Sequence, residues 1–394
     1  MLQKYKVIGK KGEGSFAEVL TCQNTKDGKL YACKRLKRKF SCTEEVLNLA
    51  EIQALRHLSP HSNIVQLYDV IYDKTTGRLA LVFELMDVNM HELLKARKRP
   101  LPEFRAKNYM YQLLKSLNHI HRHGIFHRDI KPENLLIKDN LLKLADFGSS
   151  RSIYTKPPYT EYISTRWYRP PECLLTNGYY SFKMDMWAAG CVFFEVLTNT
   201  PLFPGKSEVD QITKIHNVLG TPKPHIIAKL FQHTHSFRLD IHFTPTEGSG
   251  LPNFSSQISS DARHLISLLC TYDQDERINA RQALNHPYFR NIRIAEKYRN
   301  SHRSTSITDM SARWSRDSWR QPQIPRAASL DLRIDSGVSM SYGFKKDKRK
   351  RDFRLPELNE TWMNNSQMSN RRPKPYHYGE YTLYLPTIQP HRAE

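Results

Sequence analysis

The sequence of 394 residues has no run of about 18 consecutive apolar residues, so no membrane-spanning helix is expected. Its opening stretch, MLQKYKVIGKKGEGSF, has no apolar h-region, and no secretory signal is expected there. Cysteine is sparse: Cys22, Cys33, Cys42, Cys173, Cys191 and Cys270 are scattered, with no CxxC pair. That spacing fits reduced, intracellular thiols and neither a disulfide framework nor a zinc site. No internal repeat is present. Acidic residues are outnumbered, 39 Asp and Glu against 60 Lys and Arg, for a formal net charge of +21. The excess is compatible with nucleic-acid binding, but equally with a solvated basic surface or a basic tail. About half of it falls in residues 290–394, with 21 Lys/Arg against 11 Asp/Glu.

Hydrophobic residues make up 39% of the chain, enough for a core over part of its length. YKVIGK, AEVLTCQ and KLYACKRL read as strands, the last two separated by the turn residues NTKDG. TEEVLNLAEIQALRHL reads as one helix, with Thr43 as N-cap and Glu44 and Glu45 in its first turn. IVQLYDVIY and LALVFEL follow as strands around DKTTGR. From about residue 89 the period changes: Met110, Leu113, Leu114 and Leu117 recur at helical spacing. FKMDMWAAGCVFFEVL, DQITKIHNVLG and ARHLISLLC are later helices. A β-rich lobe therefore precedes an α-rich one. After HPYF (286–289) the chain turns rich in Ser, Arg and Pro without periodicity, which predicts a mostly disordered segment.

Inside this frame lie polar residues that want a purpose. GIFHRDIKPENLL (124–136) places Asp129, Lys131 and Asn134 within an apolar stretch, where each must be partnered or cost free energy. Asp129 can accept a proton from a hydroxyl nucleophile, and Lys131 can neutralise charge on a transferring phosphoryl group. Asn134 and Asp146, in ADFGSS, offer oxygens that suit a hard cation. Gly12 and Gly14 stand in GEGSFAEV between the first two strands, where the missing Cβ lets backbone N–H groups approach phosphate oxygens. Lys34 ends YACK among apolar neighbours, and Glu51, seventeen residues on, shares the apolar face of its helix. A buried Lys and a buried Glu make sense as a pair that leaves Lys34 able to reach phosphate.

The ordered set of Gly-rich loop, strand Lys, HRD with its Asn, DFG and PE resembles the eukaryotic protein kinases. The resemblance covers residues 4–289. It implies an α+β, bilobal fold with a β-rich lobe over about 4–86, an α-helical lobe over about 87–289 and a basic tail over 290–394. It implies ATP and Mg2+ as cofactors. Gly12, Gly14, Val19, Ala32, Lys34, Glu51 and Asp146 would line the nucleotide site, with Phe83 as gatekeeper and Glu84 to Met86 as the hinge that reads adenine. Asp129, Lys131 and Asn134 would be catalytic, and Asn134 and Asp146 would hold the metal. Asp185 would hold the catalytic loop, and Arg277 would pair with Glu172. Two departures stand out: Ala17 replaces the third loop glycine, and Pro170 replaces the Ala of APE.

TEY (160–162) and STRWYRPPE resemble the group that holds the mitogen-activated and cyclin-dependent kinases. Within it they resemble the branch of the MAPK/MAK/MRK overlapping kinase, male germ cell-associated kinase and intestinal cell kinase. The last two carry TDY instead. This implies Ser/Thr transfer with proline after the target, and control by phosphorylation of Thr160 and Tyr162. Arg128 and Arg151 would hold the first phosphate, and Arg166 and Arg169 the second. The usual helix arginine is missing, with Asn48 and Ala50 in its place. Protein substrates with Ser/Thr-Pro sites and an upstream activating kinase are the implied partners; cytoplasmic, nuclear and ciliary sites of action are implied with them.

Three features are weaker. His119, His121, His123 and His127 invite a zinc site, but only His119 and His123 share a helix face, and no further ligand completes the shell. RAAS (326–329) matches a basophilic phosphorylation site of a kind that arises often by chance. KKDKRKR (345–351) fits a solvated linker, nuclear import or an acidic partner. Nucleic acid is not expected, because no nucleic-acid fold accompanies the basic tail. A nucleotide-binding pseudokinase acting as a scaffold is the alternative function. Against it, Lys34, Asp129 and Asp146 are all retained.

Overall fold

The computed structural model describes residues 4–160, 164–232, 245–252 and 258–299. The first lobe is a five-stranded antiparallel sheet in the order β1-β2-β3-β5-β4. Its strands are β1 (Tyr5–Glu13), β2 (Ala17–Asn24), β3 (Leu30–Leu36), β4 (Leu67–Asp73) and β5 (Arg78–Glu84). In β5, Leu79 to Phe83 are all buried, the continuous apolar run expected of an inner strand covered on both faces. At the edge, only Tyr5 of β1 is buried.

The segment expected as one helix is two: α1 (Thr43–Leu47) and α2 (Ala50–Leu58). Leu49 is extended between them (ψ 130°), and the Gln53 side chain caps the Leu47 carbonyl at 2.6 Å. Cys42, not Thr43, holds the N-cap position, and no side chain caps that end. The break frees α2 to turn its face of Glu51, Ile52, Leu55 and Leu58 inward. A second difference lies before β4. Ile64 and Val65 leave the expected strand to meet Leu144, the Val65 N–H donating to its carbonyl at 2.9 Å. These two residues bind the upper sheet to the lower lobe.

That lobe begins with β6 (Val88–Asn89), α3 (Met90–Lys95) and the central α4 (Glu103–Arg122). The predicted stripe of α4 is buried as Met110, Leu113, Leu114 and Leu117. Next come the short strands β7 (Ile125–Phe126), β8 (Leu135–Lys138), β9 (Leu141–Leu144) and β10 (Arg151–Ser152). They place two loops side by side under the sheet. The helices α5 (Pro171–Leu175), α6 (Lys183–Thr198), α7 (Glu208–Leu219), α8 (Pro224–Phe231), α9 (Ser260–Leu269) and α10 (Ala280–Asn285) complete it. Every residue of α6 from Met184 to Leu197 is buried, so this helix is the post around which the others pack. The Arg277 guanidinium is wholly buried and grips Glu172 with two bonds, 2.6 and 2.9 Å.

The packed fold does not stop at 289. A helix over 290–299 continues from His286–Phe289, within the segment expected as tail. Ile292 packs on the core, Glu296 accepts from Tyr111 (2.8 Å) and Lys115 (3.1 Å), and Arg293 caps the carbonyls of Leu284 and His286. Residues 300–394, including KKDKRKR and RAAS, lie outside the described residues.

This packing has two measurable consequences. A chain ending at 299 should melt as the longer chain does, whereas one ending at 289 should melt several degrees lower; equal melting temperatures would place the boundary back at 289. The second concerns acid. Burial, with His119, Lys115 and Lys143 nearby, lowers His61 to about 4, and burial alone lowers His216 to about 4. Both folded values lie below the ordinary histidine value of roughly 6.5, so the unfolded chain binds more protons between the two. Stability should be fully present above about pH 6.5 and fall as pH drops toward 4. The double variant H61Q/H216Q should flatten that fall in thermal melts, and an unchanged slope would remove these two groups as its cause.

Candidate active site

The cleft between the lobes is built from both. On the upper side, Val19 pairs across the sheet with Lys34, and Ala32 with Phe83, so four predicted site residues fall on neighbouring strands. The turn between β1 and β2 is closed by the Gly14 N–H on the Ala17 carbonyl, 2.8 Å. A Cβ built on Gly12 would meet nothing within 4 Å, and one on Gly14 only the Ala17 carbonyl at 3.7 Å. Open space therefore lies against both glycines, as a phosphate cradle requires. Ala17, which stands in place of the third glycine, is itself buried.

The Lys34 ammonium sits between two carboxylates. It donates to Glu51 at 2.8 and 2.9 Å and to Asp146 at 2.9 Å. Burial alone would push this lysine down, but Glu51 and Asp146 together hold it above its ordinary value. Burial would raise Asp146; Lys34 outweighs it and holds the carboxyl below the usual range. β3, α2 and the loop after β9 thus meet at one charge.

Below, Asp129 accepts from Lys131 (2.8 Å) and from the Asn134 amide (3.1 Å), both through Oδ2. The Asn134 amide also donates to the Asp129 carbonyl at 2.8 Å. Asp129 Oδ1 is buried without a hydrogen-bond partner. An orphaned carboxylate oxygen in a cleft is expensive unless a donor arrives to meet it. Asn134, by giving its N–H to Asp129, keeps its carbonyl oxygen for another ligand.

The loops are held in unusual backbone. Arg128 (φ 69°) and Asp146 (φ 64°) are left-handed, at a cost of about 1 kcal/mol or more each. Buried Asp185 of α6 offsets this by accepting from the N–H groups of His127 and Arg128, 2.8 Å each, and from His121 Nε2 at 2.9 Å. Burial would raise Asp185, but these donors hold it below its ordinary value. The His127 ring donates to the Ala145 carbonyl (3.0 Å) and meets the Phe147 ring edge-on at 4.9 Å, which joins the two loops. The segment expected as hinge is fixed in turn: Glu84 accepts from Lys143 and from the Gln66 N–H, 2.8 Å each, while Phe83 and Met86 are buried.

The chain belongs to the protein kinase family. The protein kinase domain model matches residues 5–289. The chain is 54% identical to the human MAPK/MAK/MRK overlapping kinase over 309 residues, 78% of this chain and 73% of that protein. It is 43% identical to the rat serine/threonine-protein kinase ICK over 289 residues, 73% of this chain and 45% of the relative. A rice cyclin-dependent kinase F-4 is 40% identical over 73% of this chain and 62% of the relative. The reading as an enzyme of the group that includes these kinases stands.

The family implies ATP and Mg2+, and the residues present fit them. Gly12 and Gly14 leave room for phosphate, Lys34 is held ready to meet it, and Asn134 and Asp146 offer the two oxygens that Mg2+ takes from protein when phosphate and water supply the rest. Among the described residues no group of three or more His, Cys, Asp or Glu is arranged as a metal site. The histidines of 119–127 are otherwise employed: His121 on Asp185, His127 on Ala145, and His119 stacked on His61 with rings 4.3 Å apart.

Three of the four arginines expected to hold phosphate already have partners in the fold. Arg128 is buried and donates to the Ser149 carbonyl (2.7 Å) and the Tyr180 hydroxyl (3.0 Å). Tyr180 donates to the Thr160 carbonyl at 2.7 Å. Arg169 pairs with Glu208 (3.1 Å), and Arg166 donates to the Lys206 carbonyl (2.9 Å). Arg151 is exposed, and Tyr162 lies outside the described residues. Tyr180 and Glu208 were missed from sequence. Nothing local to either marks it as the partner of an arginine dozens of residues away.

Lys34→Met, Asp129→Asn and Asp146→Asn should each lower turnover with Mg-ATP by about a thousandfold while thermal melts show a folded protein. Near-normal turnover in Asp146→Asn would overturn the part assigned to that carboxylate.

Proposed function

We propose that this kinase transfers the terminal phosphoryl group of ATP to serine or threonine hydroxyls that precede proline, under control of the Thr160-Glu161-Tyr162 segment. The observation that carries the transfer is the unpartnered Asp129 Oδ1 beside Lys131 and below the Lys34–Glu51–Asp146 cluster. Asp129 orients the hydroxyl and takes its proton at Oδ1. Lys131 offsets charge on the moving group, and Lys34, fixed by Glu51, holds the phosphates in line. Bound Mg2+ would supply charge neutralisation on the phosphates. Serine and threonine follow the names of the ICK relatives.

Support for proline comes from Ser164 and Thr165. Ser164 is left-handed (φ 66°), and its carbonyl accepts from Arg169 Nε and Nη2 at 3.2 and 3.1 Å. The Thr165 carbonyl accepts from the Tyr168 N–H at 3.0 Å. With both carbonyls engaged, the N–H of a substrate residue at +1 would be buried without an acceptor. Proline has no N–H and escapes that penalty. A Ser-Pro peptide should therefore outpace its Ser-Ala counterpart by roughly tenfold in kcat/KM; equal rates would sink the preference.

For the phosphorylatable pair, a phosphate on Thr160 would find Arg128 and Arg151, but α2 opens with Ala50 and has no arginine in its first turn, its Arg56 standing in the last. A phosphate on Tyr162 would draw Arg166 and Arg169, the latter in competition with Glu208. Tyr162→Phe should reduce activity more than Thr160→Ala in matched assays after activation by an upstream kinase; the opposite ranking would refute this order of importance. Cytoplasmic, nuclear and ciliary action, and a role for KKDKRKR in nuclear import or in holding acidic partners, complete the proposal.

A further inference from the structure

We propose that the turn joining α3 to α4 is a docking site for an acidic, Asp/Glu-rich segment of the proteins this kinase phosphorylates, which rests on its reading as a protein kinase. Residues 95–107, KARKRPLPEFRAK, carry six cations: Lys95, Arg97, Lys98, Arg99, Arg105 and Lys107. Among the described residues none of the six makes an ion pair. Arg97 reaches only the Arg99 carbonyl at 3.4 Å, Arg105 the Asn140 side chain at 3.2 Å, and Lys107 lies 4.2 Å over the Tyr288 ring. The nearby acids are committed elsewhere. Glu92 closes the capping box of α3, and Glu103 accepts from the Ser259 N–H (3.1 Å) and hydroxyl (2.6 Å).

By contrast, Arg35, Lys37 and Arg38 of the upper lobe are paired with Glu18, Glu13 and Glu45. An uncompensated set of like charges within about a Debye length, roughly 8 Å at physiological salt, repels itself and gains most from an incoming run of carboxylates. The turn is also stiff. Leu101 is buried between Pro100 and Pro102, and Asn199 donates to the Arg97 carbonyl at 3.5 Å. Little ordering remains to be lost on binding. Phe104, 67% exposed at the edge, offers an apolar contact beside the charges. The patch is short, and exposed Asp139, next to Asn140, bounds it. A long polyanion such as a nucleic acid would run past it onto carboxylate, whereas a short acidic peptide segment fits.

The test uses the full chain and a labelled Asp/Glu-rich peptide read by fluorescence anisotropy. The variant K98E/R99E should weaken binding by roughly tenfold, and K98A/R99A by less. A phosphoacceptor peptide carrying an acidic extension should show a correspondingly higher KM with K98E/R99E at unchanged kcat; the same peptide without the extension should react as with wild type. Equal anisotropy for wild type and both variants would overturn the proposal, as would binding lost only when the charges of 345–351 are removed. So would tighter, turn-dependent binding of single-stranded DNA or phosphatidylserine vesicles. If neither protein phosphorylates the unextended peptide, the kinase reading fails, while the anisotropy still decides the docking surface.

Discussion

A single ammonium group, Lys34, fixes the geometry of the cleft. Its bonds to Glu51 and Asp146 tie β3, α2 and the loop after β9 to one point. A charge this deep is tolerable only while both partners stay, because taking it from water costs several kcal/mol that its ion pairs must return. The positions of α2 and of the Asp146 carboxylate are therefore coupled. If α2 swings away, the lysine loses a partner and Asp146 is left to hold it alone. The broken helix at Leu49 matters here, since it sets the angle at which α2 presents Glu51.

The lower lobe uses buried charge in the same way, for position more than for net stability. Asp185 spends its carboxylate on the backbone of the catalytic loop, and Glu172 spends its own on the enclosed Arg277. Both sit on or against α6, which is buried almost all round. The dipoles and charges facing the cleft are thus set before any substrate arrives, and they need not reorganise during the reaction.

The outer surface divides by how its cations are spent. Arg35, Lys37 and Arg38 of the upper lobe are matched by nearby glutamates, and Arg128 and Arg169 are occupied by carbonyls, Tyr180 and Glu208. The α3–α4 turn has no such partners, so its field is open to solvent.

Much of this was legible in the chain. The shift from period 2 to period 3.6 separated the lobes, and the residue types of Lys34, Glu51, Asp129, Asn134 and Asp146 singled out groups that the fold brings together in one cleft. These are local signals, fixed by strand alternation, helix spacing and the scarcity of reasons to bury charge. What the sequence could not carry was decided by contacts between distant segments. Gln53 on Leu47 split a helix with an unbroken pattern, Leu144 drew Ile64 and Val65 out of a strand, and Tyr111 and Lys115 folded 290–299 onto a domain expected to end earlier. The same holds for Tyr180 on Arg128 and Arg169 on the Ser164 carbonyl. A residue's type and its near neighbours determine what it can do chemically. Which group it meets depends on the packed fold, because a hydrogen bond is made only where tertiary structure brings donor and acceptor within about 3 Å.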